Sequence, residues 1–282
     1  MLISSRILFT GFLSSQFCRS ARLAASKNSG FCSSKVDNIG CSGSSLSRRL
    51  CTGGSEEDDD QVMNSSPPTI VSPRAQHKAS LIFFHGLGDQ GHGWADVFQS
   101  EMRNDNVRYI CPHSASRSVT LNLGMQMPAW YDLYGLDENS KEDENGILAA
   151  TQYVHQLIDA EIVAGIPSEK IFVGGFSMGA ALSIYAALTY PKKLAGVVSL
   201  SGFFLQRDKF PGLAHEQNAQ TPIFLGHGTQ DFLVPLNIGR LTEAKLKSFH
   251  PNVELRTYPM AHSSCPAELR DAKKFIEDNM GK

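Results

Sequence analysis

One short segment, Gly175-Phe176-Ser177-Met178-Gly179, has the residue types of a nucleophilic serine site. A serine in a G-x-S-x-G segment between a strand and a helix lies on a sharp, strained turn that exposes its hydroxyl, and the flanking glycines prevent clashes with both elements. An apolar run at residues 171–174 precedes the segment, and small helix-forming residues follow it. Ser177 is therefore the candidate nucleophile. The alternative is a tight glycine-rich turn with an idle serine.

A serine hydroxyl is a weak nucleophile unless a base takes its proton, and an acid must orient that base. In a strand–turn–helix site of this kind the chain order is Ser, acid, His. Asp231 follows an apolar run at residues 222–227, and His262 follows another that ends at residue 258. We predict that Asp231 and His262 are the orienting acid and the base, against the alternative of two capping or surface residues. Three histidines, in a polar loop, inside a strand and at a helix end, fit less well: His215, His227 and His250.

The negative oxygen that forms during attack on a carbonyl needs hydrogen-bond donors, which in such sites are two backbone N–H groups. We predict that Met178, which follows the nucleophile, supplies one of them. We predict that Leu87 supplies the other, from the glycine-rich segment 85–94 that follows the first predicted strand of the folded domain.

The same glycine-rich segment raises two other hypotheses. Its Gly86-x-Gly88-x-x-Gly91 pattern occurs in dinucleotide-binding loops, but those need an acidic residue at the end of the next strand, where this chain has Cys111-Pro112-His113. His85, Asp89 and His92 lack a third histidine or cysteine to complete a recognisable metal site. We predict no cofactor and no metal, and expect His85 and Asp89 to brace the loop through hydrogen bonds.

The elements that must position these residues alternate along the chain. Apolar runs predict strands at residues 80–85, 107–111, 171–174, 195–200, 222–227 and 253–258. Helical patterns lie between them at residues 146–164, 178–190, 236–249 and 266–280. Strands buried on both faces and alternating with helices predict an α/β fold with a doubly wound, mostly parallel sheet. The strand-to-helix loops, which hold the candidate residues, then meet at one edge of the sheet.

Composition divides the 282 residues into a leader, a spacer and one domain. Residues 1–36 are rich in serine, arginine and lysine and contain no acid, which predicts an organelle transit peptide, with a secretory signal or a plain disordered tail as alternatives. Residues 37–74 predict a flexible spacer, and residues 75–282 the domain. Only two cysteines lie in the body, so no disulfide framework is expected. The net charge of −2 argues against bulk capture of nucleic acid, and no run is long enough to span a membrane.

The whole set of motifs resembles the acyl-protein thioesterases, in the lysophospholipase/carboxylesterase type-2 branch of the α/β-hydrolases. The motifs are His85-Gly-Leu-Gly-Asp-x-Gly-His-Gly-Trp94, Ile110-Cys-Pro-His113, Met127-Pro-Ala-Trp130-Tyr-Asp132, the serine segment, Leu233-Val-Pro235 and His262-Ser-Ser-Cys265. The resemblance covers roughly residues 76–280. It implies a cofactor-independent cytoplasmic serine hydrolase that removes palmitoyl groups from protein cysteines and also acts on lysophospholipids and small esters. The leader has no counterpart in the usual cytosolic members and indicates mitochondrial or plastid targeting instead.

The resemblance also assigns an acyl channel to the segment 119–136, which is rich in Leu, Met and aromatic residues. It implies acyl contacts for Leu121, Met127, Trp130 and Phe203, the last of which replaces a tryptophan of the family. It further implies transient contact with membrane surfaces, where S-acylated proteins and lysophospholipids are found. Two alternatives stay open: a general short-chain carboxylesterase, and a non-catalytic acyl-binding protein on a hydrolase fold.

Overall fold

A computed structural model describes residues 66–137 and 140–281. Nine strands run in chain order: β1 (Thr69–Val71), β2 (Ala79–Phe84), β3 (Val107–Cys111), β4 (Ser116–Val119), β5 (Met125–Pro128), β6 (Ile171–Phe176), β7 (Gly196–Leu200), β8 (Ile223–Gly228) and β9 (Val253–Tyr258). The helices are α1 (Gly91–Gln99), α2 (Glu144–Val163), α3 (Met178–Thr189), α4 (Leu236–Lys247) and α5 (Pro266–Asn279). The leader at residues 1–36 lies outside the described residues.

Seven of these strands form one sheet in the order β1-β3-β2-β6-β7-β8-β9. All neighbours from β3 to β9 pair in parallel, and β1 pairs antiparallel to β3 at one edge. β4 and β5 form a separate antiparallel hairpin. The doubly wound, mostly parallel α/β fold predicted from the sequence is confirmed.

Helices cover both faces of the sheet, which explains why the central strands are apolar on both sides. On one face α2, α3 and α4 pack against residues such as Val173, Val197 and Leu225. On the other, α1 and α5 pack against Phe83, Val198 and their neighbours. Within the described ranges, no helix combines the length and apolar character needed to cross a bilayer.

Four elements differ from the sequence-based expectation. β1 lies inside the spacer predicted at residues 37–74, so the sheet begins before the domain boundary expected at residue 75. A three-residue edge strand between prolines has too short a pattern to reveal a period. The segment 85–94, expected as loop, contains the start of α1, and the segment 119–136, also expected as loop, contributes the hairpin of β4 and β5.

One buried acid lies between the sheet and α5. Glu268 is fully buried, and its two carboxyl oxygens have no hydrogen-bond partner among the described residues. Burial raises the pKa of Glu268 to about 8. The side chain lies against β8 at Gly226, where any Cβ would overlap the carboxyl group. This glycine is therefore required by the packing of Glu268 under the strand that leads to Asp231.

We expect the pH dependence of stability to report this carboxyl group. Its folded-state pKa exceeds the ordinary value of 4.5, so between about pH 5 and 8 the unfolded chain releases the proton while the folded chain keeps it. The free energy of unfolding then falls as pH rises, by up to about 1.4 kcal/mol per pH unit. Glu268→Gln should gain stability relative to wild type between pH 5 and 8 in urea unfolding. The exposed Glu277→Gln is the control, and a pH-independent difference for Glu268→Gln would contradict the assignment.

Candidate active site

Ser177 occupies a strained turn between β6 and α3. Its φ of 53° and ψ of −118° lie outside the regions that non-glycine residues favour. A Cβ on Gly175 would overlap the backbone of Gly179, and a Cβ on Gly179 would overlap the carbonyl oxygen of Phe84. The two glycines therefore let β6, α3 and β2 approach closely enough to hold the turn. The Ser177 N–H donates to the Leu200 carbonyl at 2.8 Å and anchors it to β7.

Met178 is the first residue of α3, where the backbone N–H groups have no partner within the helix and the helix dipole favours negative charge. The buried Tyr131 hydroxyl donates to the Met178 carbonyl at 3.3 Å and fixes this first turn from outside the helix. Sequence reasoning assigned no role to Tyr131. Its signal was its place in the family motif at residues 127–132 and in the segment 119–136 that the resemblance assigns to the acyl channel.

Asp231 and His262 meet at the same edge of the sheet. Asp231 follows β8, and one of its carboxylate oxygens accepts from the backbone N–H groups of Leu233 (3.0 Å) and Val234 (2.9 Å). The other oxygen lies 2.7 Å from Nδ1 of His262. Burial by itself would raise the pKa of Asp231, but the hydrogen bond and charge of His262, with these two N–H groups, bring that pKa below its ordinary value. A charged Asp231 thus fixes the His262 ring with its proton on Nδ1 and leaves Nε2 for another partner.

The His262 ring also lies beside the serine turn, with its centroid 4.8 Å from that of Phe176. The competing histidines have other hydrogen-bond partners. His227 is buried within β8, and its Nε2 donates to the Val234 carbonyl at 2.7 Å while lying 3.8 Å from the Asp231 oxygen that faces His262. His250 bonds the Asn218 carbonyl at 3.0 Å, and His215 accepts from the N–H of Gln217.

The loop between β2 and α1 passes close to the serine. A Cβ on Gly86 would lie 3.4 Å from Cβ of Ser177, and Leu87 is the next residue. His85 braces the loop: its Nδ1 donates to the Gly86 carbonyl at 2.8 Å and its Nε2 accepts from the N–H of Ser114 at 3.2 Å. Burial lowers the pKa of His85 to about 4, so the ring is neutral. Asp89 also bonds within the loop, because its carboxylate accepts from the backbone N–H of Gln90. In the described part of the chain, no three His, Cys, Asp or Glu side chains are grouped to hold a metal ion.

The residues predicted to contact the acyl chain divide into two groups. Leu121, Met127 and Phe203 are partly buried against the core. Trp130 is fully buried and its indole N–H donates to the His85 carbonyl at 2.9 Å. Trp130 therefore positions the glycine-rich loop and does not form a channel wall, because it has no surface to offer a ligand.

A cavity of about 230 Å³ is lined by Tyr131, whose hydroxyl reaches the Met178 carbonyl and so links the cavity wall to the turn that holds Ser177. The rest of the lining mixes apolar side chains, among them Phe203, Leu133, Leu136, Ile147 and Ile238, with charged ones, among them Asp132, Lys141, Glu142 and Arg207. Of the four predicted acyl contacts, Phe203 alone lines this cavity. It is smaller than the roughly 300–1,000 Å³ of typical small-molecule pockets, so a long acyl chain would have to widen it or extend past it.

Comparisons with known proteins agree with this geometry. Residues 66–280 match the family described as Phospholipase/Carboxylesterase. The chain is 42% identical to acyl-protein thioesterase 1 of Neurospora crassa, over 77% of this chain and 93% of the fungal protein. It is 43% identical to acyl-protein thioesterase 1 of Schizosaccharomyces pombe, over 75% and 96% of the two chains. The crystal structure of Zea mays acyl-protein thioesterase 2 superposes with a TM-score of 0.70 at 31% identity, over 76% of this chain and 99% of that one. The chain belongs to the phospholipase/carboxylesterase family of α/β-hydrolases, and within it to the acyl-protein thioesterases.

Proposed function

We propose that this protein is a serine hydrolase that cleaves fatty-acyl thioesters and removes palmitoyl groups from the cysteines of S-acylated proteins. The observation that carries the proposal is the strained Ser177 turn beside a His262 ring held by Asp231 at 2.7 Å. The relatives named acyl-protein thioesterase supply the substrate class. Lysophospholipids and small oxygen esters belong to the same proposal as secondary substrates.

In the first half of the reaction Nε2 of His262 takes the proton of the Ser177 hydroxyl while Oγ attacks the thioester carbonyl carbon. The carbonyl oxygen becomes negative and accepts from the N–H groups of Leu87 and Met178. When the carbon–sulfur bond breaks, the His262 proton passes to the leaving sulfur. The cysteine of the substrate protein departs as a thiol and the acyl group stays on Ser177 as an ester.

In the second half, water replaces the thiol. His262 takes a proton from the water, whose oxygen attacks the acyl ester, and the same two N–H groups hold the new oxyanion. The Ser177 oxygen leaves with the proton that His262 returns, which releases the fatty acid. Asp231 stays charged throughout and stabilises the imidazolium form of His262 in both halves.

The acyl chain is assigned to the cavity that Tyr131 and Phe203 line. Its lining mixes apolar with charged side chains, and the apolar ones, among them Leu136, Phe203 and Ile238, would contact the hydrocarbon chain. Tyr131 links its wall to the first turn of α3, which follows Ser177. A side chain larger than Phe203 would shorten the space available to the acyl chain. The size of this cavity therefore controls which acyl-chain lengths the protein prefers.

We expect kcat/KM on acyl thioesters to rise from acetyl to palmitoyl and to exceed that on chain-matched oxygen esters. Ser177→Ala should lower kcat by at least about 10⁴-fold at every chain length, because the nucleophile is lost. The exposed Ser100→Ala is the matched control and should leave the rates unchanged. Lysophospholipid is included as a further substrate.

Two outcomes of that series would contradict the proposal in different ways. A short-chain optimum on oxygen esters, still dependent on Ser177, would make the protein a general carboxylesterase. Tight binding of long acyl chains without turnover by wild type would make it an acyl-binding protein.

We further propose that the hairpin of β4 and β5 contacts the membrane surface where acylated substrates are held. Leu123 at its tip has 88% of its surface exposed, and Met125 has 44%. The base of the hairpin joins the site, because the Gly88 N–H donates to the Pro128 carbonyl at 2.8 Å. Phe232, next to Asp231, is 85% exposed at the same edge of the sheet. Exposed apolar side chains around the site favour binding of this surface to a lipid interface, because binding removes them from water.

Leu123→Ser should lower the rate on a palmitoylated peptide anchored in phospholipid vesicles by at least about ten-fold, since burial of one leucine contributes about 1.5–3 kcal/mol. The rate on a short-chain thioester free in solution should not change. Val163→Ser is the matched control, because Val163 is also 88% exposed but lies at the end of α2. Equal losses on both substrates, or equal effects of the two variants, would contradict membrane contact by the hairpin.

A further inference from the structure

The loop that contains Leu87 has little conformational rigidity of its own. Gly86, Gly88 and Gly91 give it wide conformational freedom, and Gly88 has a φ of +81°. An oxyanion donor is effective only when it is fixed before the charge develops. The rigidity of the loop therefore depends on contacts with neighbouring elements, which include the bond from the Gly88 N–H to the Pro128 carbonyl and side chains that hold the two ends of the loop.

His113, two residues after β3, holds the far end of this loop. Nδ1 of its buried ring lies 3.2 Å from the Gly91 N–H and 3.1 Å from Oε1 of Gln90. Gly91 is pressed against the end of β3, where a Cβ would overlap the Cys111 carbonyl. In the tautomer with its proton on Nε2, Nδ1 accepts from the Gly91 N–H, whereas a bond to Gln90 Oε1 would need the proton on Nδ1. Burial, then the neighbouring His92, lower the pKa of His113 and keep the ring neutral.

The edge strand β1 holds the His113 ring in turn. Nε2 of His113 lies 3.0 Å from Oγ1 of Thr69, which also lies 2.9 Å from Nδ1 of His92. The next residue, Ser114, fixes the near end of the loop, because its backbone N–H donates a hydrogen bond to the His85 ring. Consecutive residues after β3 thus fix both ends of the segment that carries Leu87.

We propose that His113 is a positioning residue of the oxyanion hole, which aims the Leu87 N–H by fixing Gly91 and is itself oriented by Thr69. The inference rests on the proposed function, because it assigns His113 a part in the same hydrolysis. His113 touches neither the substrate nor the reacting atoms. It acts on the transition state through the loop alone.

The kinetic test uses three variants of the full chain. His113→Ala should lower kcat on a long-chain thioester by about 10- to 100-fold, somewhat less than the loss of an oxyanion donor itself, with KM changed by less than about three-fold. His113→Asn, whose Oδ1 can take the place of Nδ1 and accept from Gly91, should restore most of kcat. His215→Ala is the control, since the His215 ring accepts from the Gln217 N–H, away from the loop and from Thr69.

A binding measurement separates positioning from general damage to the fold. A long-chain trifluoromethyl ketone forms a tetrahedral adduct with Ser177 that needs the oxyanion hole, whereas the matching thioether resembles only the bound substrate. His113→Ala should weaken the ketone by the same factor as kcat/KM and leave the thioether unchanged. Should His113→Ala fail to fold in thermal unfolding, Thr69→Val provides the same comparison with a smaller expected loss.

Wild-type values of kcat and ketone affinity in the folded variant would overturn the positioning role and leave the proposed function standing. Equal weakening of ketone and thioether would also overturn it, because the site as a whole would then be disturbed. If wild type itself shows no hydrolysis that depends on Ser177, both the proposed function and this inference fail.

Discussion

The close approach of three backbones around Ser177 is the constraint on which the rest of the structure depends. β6 ends, α3 begins and β2 passes within van der Waals contact, and only glycine at positions 175 and 179 permits this. The strained φ of Ser177 costs on the order of 1–3 kcal/mol, which the buried packing of α3 and the bond from its N–H to Leu200 offset. The strain is useful because it holds the hydroxyl at the edge of the sheet, at the positive end of a helix.

Parallel pairing then brings the other groups to the same edge. β8 delivers Asp231 and β9 delivers His262, so residues 31 positions apart in the chain meet at 2.7 Å. The buried carboxylate stays charged because two backbone N–H groups and the His262 ring surround it. On the other side of Ser177, the glycine-rich loop depends on buried neutral histidines. The site therefore combines one charged carboxylate, Asp231, with uncharged histidines that hold the loop in place through hydrogen bonds.

The fold class was predictable because apolar strands and amphipathic helices have strong periodic patterns. The candidate residues were predictable because each follows a predicted strand, and parallel strands end at the same edge of the sheet. The sequence could not predict β1, whose three residues are too few for a pattern, although Thr69 supports His113. The acyl contact expected of Trp130 came from the family resemblance, whereas its burial and its bond to the His85 carbonyl depend on tertiary packing that no local pattern shows. The exposure of Leu123 and Phe232 depends on tertiary packing, which no local pattern encodes.

The central claim is that Ser177 carries the acyl group between two half-reactions, and the acyl-enzyme itself is the most direct test. Wild-type protein mixed with a long-chain acyl thioester and quenched with acid within the first turnover can be digested and mapped by mass spectrometry. The account predicts an acyl ester on Ser177 and a burst of thiol equal in amount to the enzyme. A burst of thiol with the acyl group on another residue, such as Cys265, or steady turnover by a protein that never carries an acyl group, would contradict it.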